Sequence, residues 1–337
     1  MFMTRIANIF KMPAALTAAA IIVAAAGCSP AERRTERRAE SRSRLMMDTL
    51  VEIKTSARSR EHIFDAAFDE IGRIEKKYSV YGGGAAMTAI NTLDGRTDAA
   101  GAILDDETRF LLDFALRISS FSSGALDPAV GALSRLWRDA ETQPPPADRI
   151  AAARLLSGIG RIKIVDGKLY KKAGALLDFG AFAKGYAVDK AVEKMKSAGA
   201  KEGIVNAGGD IRVFGQRTWN IAVKHPRKES EFLGVIPLRD KAVATSGDYE
   251  RFRELDGRRY HHIIDPFTGF PAEGVISVSI IADDCLTADA LSTAVFVLGA
   301  KRGIALIEKI EGAECVIVDK RGGIHKTAGL KTIPFTY

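Results

Sequence analysis

Cysteine is scarce: Cys28, Cys285 and Cys315 are the only three in 337 residues. That excludes a small scaffold held together by a disulfide framework. Neither a CxxC pair nor an HExxH helix occurs, so the common zinc signatures are missing. No GxGxxG follows a first strand, which leaves a Rossmann dinucleotide site without support. Internal repeats are absent too. The one long apolar run of the leading segment, Met12 to Ala26, is too short to cross a bilayer comfortably.

What is present describes a folded chain. Hydrophobic residues make up 47% and charged residues 27%, enough for one large core or two closely joined domains. The net charge of +7 raises nucleic acid as a partner, and the location of the charge answers it. Arg33, Arg34, Arg37, Arg38, Arg42 and Arg44 stand against only Glu32, Glu36 and Glu40, while Arg5 and Lys11 lie in the leading segment. The rest of the chain is near neutral, so no nucleic-acid partner is expected.

The first 27 residues have the grammar of an export signal. Two basic residues precede the apolar run, which ends in Ala25-Ala26-Gly27-Cys28. Small residues before a cysteine resemble a bacterial lipobox, with Ala25 where leucine is usual, so Cys28 is expected to be lipidated and to anchor an extracytoplasmic protein. Ser29 after the cysteine leans toward the outer of two membranes, with the inner left open. Residues 28–45 read as a flexible Arg-rich tether, and 46–337 as the folded body. Cys285 and Cys315 remain, as a disulfide or as two buried thiols.

Alternation predicts a strand over Met47 to Thr55, and helical periodicity a helix over Ser59 to Lys77. A second helix is expected from Asp105 to Phe121. Asp127-Pro128 reads as a helix start, the acid capping and the proline in the first turn. TQPPPA (142–147) is the best internal linker, before a helix at about Ala147 to Leu156. Strands follow at Ile162 to Val165, Lys168 to Lys171 and Ala175 to Asp178. The last leads into LDFGAFAKGYAVD (177–189), where Asp178 and Gly180 turn the chain into a helix from Ala183. Such a helix start aims unpartnered N–H groups and Lys184 at an anion, phosphate above all, or is an ordinary strand-to-helix connection. Strands near Gly203 to Asn206 and from Trp219 to Ile281 surround an Ala207-Gly208-Gly209-Asp210 turn. Two late helices, Thr287 to Leu298 and Lys301 to Ile310, precede the C-terminal strands. Runs of strands with grouped helices favour an α+β fold over a wound parallel sheet.

Asp289 and Thr293 lie one helical turn apart, so a carboxylate and a hydroxyl share a face. Hard oxygen ligands of that kind suit Mg²⁺, and a favourable charge near a helix start is the plainer alternative. His262 stands at a strand end before a DPFTG turn, where it is either a proton acceptor or a hydrogen-bonded surface residue.

In order along the chain, Met47-Asp48-Thr49, Ser79-Val80-Tyr81, Gly124 to Pro128, DFGAFAKGYAVD, Asn206 to Asp210, Thr245 to Tyr249, His262 to Pro266 and Ala288 to Ala294 resemble the ApbE family of FAD:protein FMN transferases. The resemblance runs from about Met47 to the C-terminus. It implies an α+β fold of antiparallel sheets and grouped helices, with FAD and Mg²⁺ in a cleft. FAD is implied as substrate, with contacts from Met47, Tyr81, Ala125, Leu126, Asp127, Asp178, Lys184 and Ile264. Mg²⁺ is implied at Asp289, Thr293 and the backbone oxygen of Ala181, with Ser292 nearby. The expected reaction attaches FMN through a phosphoester to a threonine or serine hydroxyl of a target flavoprotein and releases AMP, with His262 and Lys184 as the catalytic pair. Asp48, Leu126 and Ala85-Ala86 depart from the more frequent Gly, Phe and Ser-Glu of the family. An FAD pyrophosphatase and a flavin-binding lipoprotein without turnover are the alternatives.

Overall fold

The computed structural model describes residues 39–57, 60–80, 82–93, 101–140 and 142–337. The export signal, Cys28 and Tyr81 lie outside the described residues.

In chain order the elements are β1 (Glu40–Met46), β2 (Thr49–Thr55), α1 (Glu61–Tyr78), α2 (Ala85–Thr92), β3 (Ala102–Ile103), α3 (Asp106–Phe121), α4 (Gly131–Asp139) and α5 (Ala147–Leu155). Next come β4 (Ile162–Val165), β5 (Lys168–Lys171), α6 (Ala183–Ser197), β6 (Gly203–Ala207), β7 (Asp210–Phe214), β8 (Trp219–Lys224) and β9 (Phe232–Leu238). The chain ends with β10 (Ala242–Gly247), β11 (Phe252–Leu255), β12 (Arg258–His261), β13 (Val275–Ala282), α7 (Cys285–Ile307), β14 (Glu314–Asp319) and β15 (Ile324–Lys326).

Eight strands form the central sheet in the order β1-β2-β6-β7-β10-β13-β14-β15, and every pairing in it is antiparallel. The α+β expectation holds. Helices α1, α6 and α7 cover one face, burying Ile71, Ile74, Met195 and Phe296 with the inward residues of the strands. The β8–β9 hairpin covers part of the other face around Trp219, Ile236 and Val316. β13, buried along its whole length, is apolar at most positions because both of its faces are covered. α7 is interrupted at Gly299, whose φ of 77° only glycine adopts without strain, so the two late helices of the sequence reading meet at one residue. Cys285 and Cys315 are buried free thiols.

Two local expectations fail on the N-terminal side. Glu40 to Arg44 belong to the sheet rather than to a tether. β1 is exposed on both faces and carries no apolar periodicity, and what holds it is the ladder to β2 with its arginines. Arg42 pairs with Glu61 and Arg44 with Asp65, and their guanidinium groups lie over Phe64 and Phe68. Met47 and Asp48 are not strand but the two-residue turn between β1 and β2, both with positive φ. Removing residues 1–45 is therefore expected to lower Tm by several degrees relative to removal of residues 1–38, because it strips an edge strand and three ion pairs, the third between Glu40 and Arg60. Equal melting temperatures would show that β1 adds nothing.

A candidate flavin-dinucleotide cleft

Residues 175–178 do not form the predicted strand. Leu177 instead pairs with a side chain: the Asn91 amide accepts from its N–H at 2.8 Å and donates to its carbonyl at 2.9 Å. Asp178 N–H donates to the Pro128 carbonyl, and the Asp178 carboxylate accepts from Gly180 N–H. Phe179 and Phe182, fully buried and 4.9 Å apart, anchor the turn, so α6 starts in a fixed direction. Asp127 does not cap a helix with Pro128 in its first turn. Its carboxylate accepts from Ala129 N–H, and α4 begins only at Gly131.

The start of α6 faces an anion, and that anion is Asp289. Gly185 N–H donates to Asp289 Oδ2 at 2.9 Å. A Cβ at Gly185 would lie 2.3 Å from the Cys285 carbonyl oxygen, so only glycine permits this approach of α6 to α7. The relation is mutual, because Asp189 on α6 accepts from Cys285 and Leu286 N–H at the start of α7. Each helix caps the other with an acid. The phosphate expected there has lost this amide to Asp289, and Lys184 is the cationic donor beside it.

Lys184 Nζ donates to Asp210 Oδ2 at 2.5 Å. Burial pulls its pKa down, yet Asp210 and Asp289 outweigh burial and the net shift is upward. Asp210 is 1% exposed, and its Oδ1 is buried with no partner among the described residues. Burial first, then the charge of Asp210, pushes the Asp289 carboxyl well above its ordinary value. Two buried acids thus share one lysine, an arrangement that a further cation would relieve. The Thr293 side chain makes no hydrogen bond among the described residues and lines the cleft. Ser292 is taken: it bonds Ser246 at 2.7 Å and donates to the Asp289 carbonyl at 2.8 Å. Among the described residues no group of three or more His, Cys, Asp or Glu gathers as a metal cage. One carboxylate, a hydroxyl and the backbone oxygen of Ala181 match the sparse oxygen set of Mg²⁺, which keeps waters and substrate phosphates in its shell.

The two histidines divide their work. His261 is buried, with Nε2 2.8 Å from the Ala272 carbonyl, and is structural. His262 opens on the cleft, its Nδ1 3.2 Å from the Arg251 carbonyl. A carbonyl only accepts, so Nδ1 carries the hydrogen and Nε2 keeps its lone pair. His262 is exposed at the cleft, and desolvation by the surrounding walls, then Arg251, shifts its pKa down from 6.5, which favours the neutral ring.

A cleft of about 460 Å³ joins these groups, within the range of small-molecule sites. Met47, Ala125, Leu126, Asp127, Asp178, Ala181, Lys184, His262, Ile264 and Thr293 line it, and Asp289 lies beneath. The turn residue Met47 is tied by its N–H to Glu75 and by its carbonyl to Arg251. Sequence reasoning missed Glu250, a cleft carboxyl that burial raises to about 7 against the pull of Lys184. It also missed the stacked Trp137 and Tyr260, 5.5 Å apart on the wall. The TSGDY run was the only pointer to Glu250, and nothing in sequence pairs Trp137 with Tyr260.

Asp127 offers a test of the cleft's electrostatics. Burial raises its pKa from 3.8 to about 6, so between these values the native chain holds a proton that the unfolded chain has lost. Its contribution to stability falls as pH rises through that window and stays low above it. Asp127→Asn keeps an acceptor for Ala129 and removes the charge. The variant is expected to gain roughly 2 kcal/mol at pH 7 to 8 and nothing near pH 4. Chemical denaturation across pH checks this, and a gain independent of pH would refute it.

An antiparallel sheet backed by helices, with a cleft of about 460 Å³ beside a lysine and a carboxylate–hydroxyl pair, defines the class: an α+β fold with a cationic, oxygen-lined cleft. The chain belongs to the ApbE family, whose model matches residues 47–317. It is 32% identical over 318 residues to an FAD:protein FMN transferase of Treponema pallidum, covering 86% of this chain and 87% of the relative. With an FAD:protein FMN transferase of Vibrio cholerae the identity is 33% over 257 residues, covering 73% and 77%. Among solved structures, an ApbE protein of Thermotoga maritima superposes with a TM-score of 0.81 at 34% identity, covering 88% of this chain and 99% of that one. The apo flavinyl transferase ApbE of Pseudomonas stutzeri gives 0.74 at 30% identity, covering 86% and 94%.

Proposed function

We propose that this chain is an FAD:protein FMN transferase, moving FMN from FAD to a threonine or serine hydroxyl of a target flavoprotein. The observation that carries the reading is the convergence of Lys184, the Asp289–Thr293 pair and a neutral His262 on one cleft, in a chain whose relatives are named for that activity. The acceptor Oγ forms a bond to the FMN-side phosphorus. The bond from that phosphorus to the bridging oxygen breaks, and AMP leaves with that oxygen.

His262 Nε2 takes the hydroxyl proton, its neutral tautomer being held by the Arg251 carbonyl. Lys184 places positive charge beside the diphosphate, with Asp210 fixing its position. Asp289, Thr293 and the Ala181 carbonyl would hold Mg²⁺, which when bound neutralises the diphosphate's charge. The cleft walls around Trp137 and Tyr260 limit the water that competes with the acceptor.

The deciding experiment incubates the chain with FAD, Mg²⁺ and a panel of exported flavoprotein domains. Flavin covalently bound to a domain, with an equivalent of AMP, is expected. Free FMN with AMP would make it a pyrophosphatase, and intact bound FAD a flavin-binding protein. Anchoring through Cys28 outside the cytoplasm belongs to the same proposal, supported by the apolar run and the small residues before the cysteine. Cys28→Ser is expected to move the protein from the membrane to the soluble extracytoplasmic fraction; retention with the membrane would refute lipidation there.

A further inference from the structure

The β8–β9 hairpin has two outer edges, and they differ. That of β9 is covered by the C-terminal residues: Thr336 N–H donates to the Leu233 carbonyl at 2.8 Å, and a Cβ on Gly234 would lie 2.7 Å from the Pro334 carbonyl oxygen. The edge of β8 has no such cover. The hairpin is a sheet of two strands only, and among the described residues no backbone group of β8 bonds to anything outside its ladder with β9.

Ile221, Ala222, Val223 and Lys224 all line the cleft that holds Lys184 and His262. Successive strand residues point to opposite faces, so four in a row along one cavity present the edge of the strand, with its main-chain donors and acceptors. Natural sheets blunt such edges with charges, prolines or bulges. Here the register shift falls at Val223/Lys224, and Ile221, Ala222 and Val223 are apolar without an inward charge.

We propose that the open edge of β8 receives an extended, hydroxyl-bearing segment of the acceptor protein as an added strand. This rests on the transferase reading, which already requires a protein hydroxyl in the cleft. A main-chain ladder holds an incoming segment in fixed register and sends alternate side chains toward the reacting phosphorus.

The test uses the full chain in detergent, with FAD, Mg²⁺ and the flavoprotein domain labelled in the preceding assay. Ala222→Pro removes one N–H and crowds the edge. It is expected to raise KM for the acceptor domain at least about tenfold, several times more than any change in FAD affinity or acceptor-free AMP release. Hydrogen exchange on the wild-type chain supplies a measurement independent of the variant. With FAD and an acceptor domain whose hydroxyl residue is replaced by valine, amides within Asn220–Lys224 are expected to slow about tenfold. Unchanged acceptor KM in Ala222→Pro, unchanged exchange in β8, or a loss of FAD affinity equal to the loss of acceptor would each overturn the proposal. So would an edge occupied by a second copy, seen as a dimer that Ala222→Pro dissociates without changing acceptor KM. A wild-type chain that labels no domain defeats the transferase reading itself, and this inference with it.

Discussion

Asp289→Asn lowers the rate of flavin transfer by about 10²–10³-fold and leaves the chain folded. The amide oxygen of asparagine still accepts from Gly185 N–H, the 2.9 Å contact that joins α6 to α7. What disappears is a negative charge that burial and Asp210 already make costly, so the metal-free variant is expected to melt no lower than wild type. The two readouts therefore move apart, with activity collapsing while Tm holds. Thermal shift with and without Mg²⁺ supplies the third: wild type is stabilised by the ion through mass action, and the variant is not. Asparagine that preserved both the Mg²⁺ shift and the transfer rate would place the ion elsewhere.

His262→Ala is expected to slow transfer by about 10²–10⁴-fold, with FAD affinity unchanged. The pH dependence carries the sign. In the proposed role His262 works as the neutral ring, and desolvation by the cleft walls, then Arg251, lowers its pKa from 6.5. Acidification from pH 8 to 6 should thus leave this group in its active state, with loss only on going lower. Glu250, near 7, titrates inside the tested range, so the profile is best compared with that of Glu250→Gln. A wild-type rate that halves at pH 6.5 in both backgrounds would show an ordinary histidine, and full activity in His262→Ala would remove it from the chemistry.

The sequence exposed the parts of this protein that repeat at a recognisable spacing. The Asp289–Thr293 pair was legible because one helical turn fixes which side chains share a face, and the sheet because β2 alternates and its central strands are short apolar runs bounded by turn residues. Residues 175–178 were misread as a strand because they are apolar and extended. Their hydrogen-bond partner is the Asn91 side chain on α2, a helix too short and too weakly periodic to be foreseen. β1 was missed for the opposite reason, since its hold comes from backbone pairing and arginine contacts to α1. The Asp127-Pro128 pair has the composition of a helix start, yet the chain there is held by backbone bonds between Pro128 and Asp178 and between Gly131 and Leu176. Residue types do not reveal contacts of that sort. Departures from the family pattern had mild structural outcomes: Asp48 accepts the left-handed turn usually given to glycine, and Ala85-Ala86 open α2.

The mutual capping of α6 and α7 has a bearing on how the enzyme comes into being. Asp189 and Asp289 each complete a helix other than their own, so neither helix end is satisfied until the two have docked. The Asp289 carboxylate, the one proposed to hold Mg²⁺, is aligned by that same docking. Catalytic competence and tertiary assembly are thus acquired in one step, and a newly made chain with its helices still apart carries no half-built site that could cleave FAD prematurely.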